Sequence, residues 1–272
     1  MSQSPEIATL EPRPSHSDTA DVTRSSHPHT PPGAHPYTAQ GAPVTSTRRR
    51  IAAAAGTFYL ITHATSIAAL LLYAPILDDP GYIAGSGADT RVLWGAFLEG
   101  ILALAIVGTA VTLFPIVKKQ QEGVALGYVG LRTIESAIIT VGIVTLVAIV
   151  TLRQEPTETP AVTLITVGRA LVAIHNWTFL LGPSFVLGVN TLLMAYLMFR
   201  SRLVPRFVAV LGLVGGPLAF ASATAVMFGL YEQVSLWGAI AAIPVFGWEL
   251  SLALWLIVKG FNSAAGTASA DH

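Results

Sequence analysis

Long apolar runs separated by short charged clusters occupy most of the chain between residues 51 and 260. A helix crosses the hydrocarbon layer of a bilayer with about 20 apolar residues, and each of these runs is at least that long. The pattern therefore predicts an all-α, polytopic membrane protein, a bundle of six transmembrane helices. The predicted spans cover residues 51–75, 92–117, 124–152, 176–199, 207–230 and 234–258.

The fourth apolar run is too long for one simple crossing. It covers residues 162–199, which would form a helix of about 57 Å at a rise of about 1.5 Å per residue, against about 30 Å of hydrocarbon. We therefore predict a short extra helix, lying on the surface or re-entrant, at roughly 161–174, before the fourth span at 176–199. Because proline interrupts helical hydrogen bonding, a kink is expected at Gly182-Pro183.

The first 47 residues differ in composition from the rest of the chain. They are rich in Pro, Ser, Thr and His and poor in aliphatic residues, so they cannot bury enough apolar surface to offset the entropy of ordering. We predict a disordered cytoplasmic tail at 1–47, a six-helix domain at 48–262 and a disordered tail at 263–272. Four histidines of the first tail could bind a metal weakly, although a solvated tail is the simpler interpretation: His16, His27, His29 and His35.

Basic side chains gather on one side of the predicted bundle. Six spans place on that side Arg48, Arg49, Arg50, Lys118, Lys119, Arg200, Arg202, Arg206 and Lys259, and on the other side Arg91, Arg153 and Arg169. Cytoplasmic loops of membrane proteins carry an excess of Lys and Arg. Both termini are therefore predicted to be cytoplasmic, with the protein in the cytoplasmic membrane.

Composition also narrows the functional classes. The chain has no cysteine and a formal net charge of zero. These features exclude disulfides, thiolate catalysis and Cys-ligated metal centres, and they give no basic footprint for nucleic-acid binding. The HExxH, GxSxG and P-loop motifs are also missing from the sequence. We predict no catalytic residue, no cofactor and no bound metal, and a membrane-embedded enzyme is the least favoured of three functional hypotheses.

Several polar side chains interrupt the apolar runs near the middle of the bilayer. Counting about 1.5 Å per residue from Glu122, Arg200 and Lys259 places Arg132, Asn190 and Glu249 about 15 Å into the bilayer. The same count places Glu135, and His63 from Arg50, at about 20 Å. A charge near the bilayer centre costs at least about 2.5–3.5 kcal/mol, so such groups face the bundle and find partners. We predict that Arg132, Glu135 and Glu249 compensate one another. Asn190 and His63 complete this polar layer.

A second set of polar residues lies near the opposite boundary of the bilayer. Glu99 follows Arg91 by two helical turns, and His175 and Asn176 stand at the start of the predicted fourth span. These three residues could line an outer vestibule. The alternative is that Trp177 is an interfacial aromatic residue and that His175 and Asn176 only cap the helix.

The polar layer has two interpretations of different functional class. It could bind or move a small molecule or ion, or it could only fix helix packing in a structural or partner-binding subunit. An accessible cavity beside Arg132 would favour binding, whereas a closed interior would favour packing. In the fifth span, Gly212 and Gly216 form a GxxxG spacing. That spacing predicts close helix packing, either inside the bundle or between the chains of a homo-oligomer.

Several segments of the sequence resemble segments of a known protein family. They are RRIAAAAGTFYLITHATSI, WGAFLEGILALAIVGTAVTLFPIVKK, LRTIESAII, AIHNWTFLLGPSFVLGVNTLL, RSRLVPRFVAVLGLVGGP and WELSLALWLIVKGF. Together these segments resemble an uncharacterised bacterial family of integral membrane proteins, the domain of unknown function numbered 4386, over roughly residues 48–262. The resemblance implies a multi-span bacterial membrane protein and no particular activity. The recurrent polar positions of the family would correspond here to Glu99, Arg132, Glu135, His175, Asn190 and Glu249.

Overall fold

A computed structural model describes residues 42–85, 87–155 and 158–262. Helices are the only regular structure in these ranges, and six helical stretches are long and apolar enough to cross a membrane, which confirms the predicted six-span, all-α fold. The helices are α1 (Ala42–Asp78), α2 (Asp89–Val117), α3 (Glu122–Gln154), α4 (Ala161–Leu180), α5 (Leu187–Ser201), α6 (Arg206–Met227) and α7 (Leu236–Val258). A short 3₁₀ turn at Tyr82–Ala84 lies between α1 and α2.

The fourth stretch differs from its expected boundaries. The extra helix α4 runs past residue 174 and joins α5 through a six-residue π-helical segment, Leu181–Val186, so that 41 residues are continuously helical. The expected boundary at 174–176 was therefore placed too early. The irregular segment contains Gly182-Pro183, where proline has no N–H to donate and its ring crowds the preceding turn. A π-helical segment accommodates this proline without ending the helix.

The first helix begins inside the segment that was predicted to be the first tail. Helix α1 begins at Ala42, so residues 42–47 are helical although the sequence assigned them to the tail. Arg49 donates hydrogen bonds to the carbonyl oxygens of Leu256 and Val258, at 2.9 and 3.1 Å, which ties the start of α1 to the end of α7. These bonds satisfy carbonyl groups that a helix end leaves without partners. Residues 1–41, with the four tail histidines, and residues 263–272 lie outside the described residues.

The helix ends form two groups. At the basic end, which holds the start of α1 and the end of α7, Asn262 donates a hydrogen bond to the carbonyl oxygen of Leu203 in the turn between α5 and α6. At the opposite end, Arg153 at the end of α3 binds Asp89 at the start of α2, with a shortest N–O distance of 2.8 Å. Tyr82, in the 3₁₀ turn at this end of the bundle, donates a 2.8 Å hydrogen bond to Asp89. Burial and this hydrogen bond raise the pKa of Tyr82 above its usual range.

Helix α6 packs closely against both of its neighbours. A Cβ atom at Gly212 would lie 2.6 Å from the ring of Trp248, and a Cβ atom at Gly216 would lie 2.7 Å from the carbonyl oxygen of Gly188. The small residues let α5, α6 and α7 approach at backbone distance. The predicted close packing of the Gly212/Gly216 face thus occurs inside the chain. Association of two chains through the same face stays a prediction.

The two largest of the three apolar clusters among the described residues lie towards opposite ends of the bundle. The larger core, at the basic end, joins α1, α2, α3, α5, α6 and α7 and includes the fully buried Leu113, Met194 and Trp248. The smaller core joins the other ends of α1, α2 and α3 to α4 and includes Tyr73 and Leu146. The buried polar groups described next adjoin both cores, since Tyr59 and Tyr128 belong to the larger core and Tyr73 to the smaller one.

Candidate functional site

Arg132 of α3 is the centre of a buried cluster of polar side chains, which we call the polar cluster. Its Nη1 atom lies 3.2 Å from Oε2 of Glu135 on the next helical turn. Its Nη2 atom lies 3.0 Å from Oε1 of Glu249 on α7. The Nε atom donates a third hydrogen bond, of 3.2 Å, to the hydroxyl of Tyr128. Since the Arg132 side chain is only 3% exposed, its charge is compensated almost wholly by the protein.

Two tyrosine rings complete the surroundings of the guanidinium group. The Cζ atom of Arg132 lies 5.4 Å from the ring centre of Tyr59 and 5.7 Å from that of Tyr128. The two phenol hydroxyls lie 3.1 Å apart. Aromatic rings attract cations through their faces, so these tyrosines help to hold the charge in place from α1 and α3.

Asn190 brings α5 into the polar cluster. Its Nδ2 atom donates a 2.6 Å hydrogen bond to Oε2 of Glu135. Both residues are buried, whereas the Oδ1 atom of Asn190 finds no hydrogen-bond partner among the described residues. A buried acceptor without a partner costs free energy. Here this cost arises because the side-chain amide is oriented so that its Nδ2 atom donates to Glu135.

His63 joins the polar cluster from α1 and leaves two acceptor atoms facing each other. Its Nδ1 atom lies 2.8 Å from the carbonyl oxygen of Tyr59, so Nδ1 carries a proton. The other ring nitrogen, Nε2, lies 3.7 Å from Oε2 of Glu249. In neutral histidine this nitrogen is an acceptor, as is the carboxylate oxygen. A proton, a water molecule or a ligand that donates hydrogen bonds would satisfy both atoms.

The residues of the predicted outer vestibule are only partly brought together. Glu99 accepts a 2.7 Å hydrogen bond from the hydroxyl of Tyr73, and the Tyr73 ring contacts the His175 ring at 5.6 Å between centres. Within the described ranges, no hydrogen bond joins Glu99 to His175; the His175 Nδ1 atom lies 3.3 Å from the carbonyl oxygen of Gly142. Tyr73 therefore stands between the two groups that acid–base chemistry at this site would need.

A cavity of about 810 Å³ connects the polar cluster with these vestibule residues. Residues of both predicted polar sets line this cavity: His63, Glu99, Arg132, Glu135, His175, Asn176 and Glu249. Its walls are otherwise mainly apolar, with Leu102, Ile106 and Ile139 as examples. Several lining residues are exposed at its rim, among them Ile67, Trp177 and Phe246. The cavity is thus open and reaches the buried charges.

Tyrosines are the site residues that the sequence did not single out. Tyr59, Tyr73 and Tyr128 each bind a member of the two polar sets, and all three are almost fully buried. A phenol that is buried in an apolar helix needs a partner for its hydroxyl. That rule could have pointed to these residues. Within the ranges that the structure describes, no group of three or more His, Asp or Glu side chains is arranged to hold a metal ion.

Comparison with known proteins identifies the family but no activity. No curated protein and no solved structure matches the chain. The family model described as domain of unknown function (DUF4386) matches residues 54–260, a range that contains both polar sets and all of the tyrosines that bind them. This match confirms the resemblance that the sequence carries, and the chain belongs to the DUF4386 family.

Proposed function

We propose that the protein binds or moves a small molecule or ion through the cavity that reaches the polar cluster. A volume of about 810 Å³ lies within the range of about 300–1,000 Å³ that is typical of small-molecule sites. Mainly apolar walls with a few convergent polar groups are also typical of such sites. The single observation that carries the proposal is that this open cavity ends on buried charged side chains.

Partial exposure of the polar cluster supports binding over packing alone. The side chains of His63 and Glu249 are 13% and 12% exposed, although Arg132 and Glu135 are almost completely buried. A network that only fixed helix register would gain nothing from this exposure. The acceptor atoms that face each other between His63 and Glu249 give a ligand a polar contact at the inner end of the cavity.

The proposal includes an orientation in a bacterial cytoplasmic membrane. The excess of Lys and Arg at the basic end supports a cytoplasmic location for that end and for both termini. The cavity also contacts residues of the opposite end, including Leu77 at the end of α1 and Glu232 in the connection between α6 and α7. A ligand would therefore enter from the outer half of the bilayer or from the outer aqueous phase.

A structural or partner-binding role is the second candidate. It is favoured by Arg132, whose three nitrogen atoms all find partners inside the chain. Under this alternative the side chains around the cavity would close over it in the membrane, and small reagents would not reach its interior.

Labelling of an introduced cysteine distinguishes the two functions. The natural chain has no cysteine, so Ser66→Cys creates a single thiol in the cavity wall, one turn from His63. The matched control is Thr191→Cys, because Thr191 is 2% exposed and makes no contact with the cavity. We expect iodoacetamide to alkylate Cys in the first variant at least about tenfold faster, since a buried thiol reacts only after local opening. Mass spectrometry of the protein in lipid nanodiscs measures both rates.

Equal, slow alkylation of the two variants would contradict the proposed function. It would mean that the cavity is closed to small molecules in a bilayer and would favour the structural role. A fast reaction of both variants, by contrast, would show that the substitutions loosen the bundle; a shared loss of thermal stability would accompany it.

A further inference from the structure

The charged groups that line the cavity do not balance. Four carboxylate side chains face it, from Glu99, Glu135, Glu232 and Glu249, against the single guanidinium group of Arg132. The formal charge of the lining is therefore minus three when both histidines are neutral and all four carboxyl groups are ionised. Glu135 and Glu249 share Arg132, and Glu232 is exposed, where water screens its charge. Glu99 is the carboxylate that is left without compensation in the interior.

Glu99 is buried, and one of its oxygen atoms has no partner. The residue is 8% exposed. Its Oε2 atom accepts the hydrogen bond from Tyr73, whereas no described residue donates a hydrogen bond to Oε1 or forms an ion pair with the carboxylate. Burial of a carboxylate costs several kcal/mol unless a cation or hydrogen-bond donors compensate its charge or the group binds a proton. The cavity is the place from which such compensation can come, because Glu99 lines it.

The rest of the cavity suits an apolar body with a positive charge. Aromatic side chains line it on several sides, with Tyr73 beside Glu99 and Trp177 and Phe246 at the rim. Aromatic faces attract cations most strongly where water is excluded. The aliphatic walls of α1, α2 and α3 would bury apolar groups of a ligand at about 25 cal/mol per Å² of area removed from water.

We propose that the ligand is an amphiphilic organic cation whose positive charge is compensated by Glu99 while its apolar part fills the cavity. This inference rests on the proposed function and specifies the class of ligand. It also gives Glu99 a role that the polar cluster does not: the carboxylate selects the sign of the charge, and the apolar walls select hydrophobic molecules over inorganic ions.

Two ions of nearly equal size and opposite charge test this inference. Tetraphenylphosphonium is a lipophilic cation, and tetraphenylborate is the anion of matching shape. Binding of each to the purified full-length protein is measured by equilibrium dialysis in detergent micelles, and protein-free micelles give the background. We expect saturable binding of the phosphonium ion at an affinity at least about tenfold higher than that of the borate ion.

Glu99→Gln supplies the residue-specific test. The amide keeps the size of the side chain and its carbonyl oxygen can still accept the hydrogen bond from Tyr73, so the fold should persist. We expect the affinity for tetraphenylphosphonium to fall about tenfold or more, and the preference over tetraphenylborate to disappear. The matched control is Glu232→Gln at the exposed rim, which should change the affinity less than about twofold because its charge is screened.

The outcomes separate this inference from the proposed function. If the borate ion binds as tightly as the phosphonium ion, or neither binds saturably, the inference of a cationic ligand is overturned. Fast alkylation of Ser66→Cys would leave the proposed function standing in either case. If Glu232→Gln and Glu99→Gln weaken phosphonium binding equally, the charge of the whole cavity would be responsible, and the role of Glu99 is overturned.

Discussion

Replacing Arg132 by methionine should destabilise the protein by about 3–5 kcal/mol, the range found when one partner of a buried ion pair is removed. The substitution leaves Glu135 and Glu249 without their shared cation inside the bundle. It also removes the donor to the Tyr128 hydroxyl. The free energy of unfolding, from denaturation with sodium dodecyl sulfate in mixed micelles, measures the effect.

The matched control removes the charges together. In the triple variant Arg132→Met, Glu135→Gln and Glu249→Gln, no uncompensated charge stays buried, and replacement of a whole ion-pair network is often close to neutral. We therefore expect the triple variant to recover most of the lost stability. A triple variant that is as unstable as the single one would show that Arg132 acts through its packing contacts with the tyrosine rings rather than through charge compensation.

The members of the polar cluster could be found from the sequence because a helix has a fixed rise. Counting residues from Glu122, Arg200 and Lys259 placed Arg132, Asn190 and Glu249 at one depth. In the structure Glu249 binds Arg132, and Asn190 binds Glu135. The estimate works because depth is counted from one common boundary with water, and because polar side chains inside hydrocarbon are stabilised by binding one another.

The cavity could not be predicted in the same way. Its volume depends on how the helices that line it pack against one another, and this packing follows from side-chain shape rather than from hydropathy. Tyr73 illustrates the difficulty, because its ring lies between Glu99 and His175, two residues that the sequence grouped in one vestibule. Depth counting gives the height of a residue in the bilayer but not the direction in which it faces.

The end of α4 shows a second limit of sequence patterns. A run that was too long for one span required an irregularity, and the sequence indicated Gly182-Pro183 correctly as a disturbed site. The same pattern predicted a break between two helices at 174–176, whereas the helix continues through that point and is disturbed only at Leu181–Val186. Gly182 is buried against α3, where a Cβ atom would lie 3.2 Å from the Ile138 side chain, and this contact holds the π-helical segment in place.

The glycines of α6 affect the stability of the bundle through close helix packing, independently of the charges in the polar cluster. At Gly216 a Cβ atom would meet backbone on α5, with the Gly188 carbonyl oxygen at 2.7 Å and the Leu192 nitrogen at 2.9 Å. Backbone atoms cannot move aside as the end of a flexible side chain can. The two helices must therefore separate if a methyl group is added here, and the packing around the polar cluster would loosen with them.

Gly216→Ala should accordingly destabilise the protein by about 1–3 kcal/mol, the usual cost of overpacking a well-packed interior. Gly247→Ala on α7 is the matched control, because nothing lies within 4 Å of a Cβ atom at that position, and alanine should raise helix stability there by up to about 1 kcal/mol. Thermal and detergent denaturation of the two variants would show shifts of opposite sign. If both variants were stabilised, α5 and α6 could not be in backbone contact at Gly216, and the close packing of this half of the bundle would be refuted.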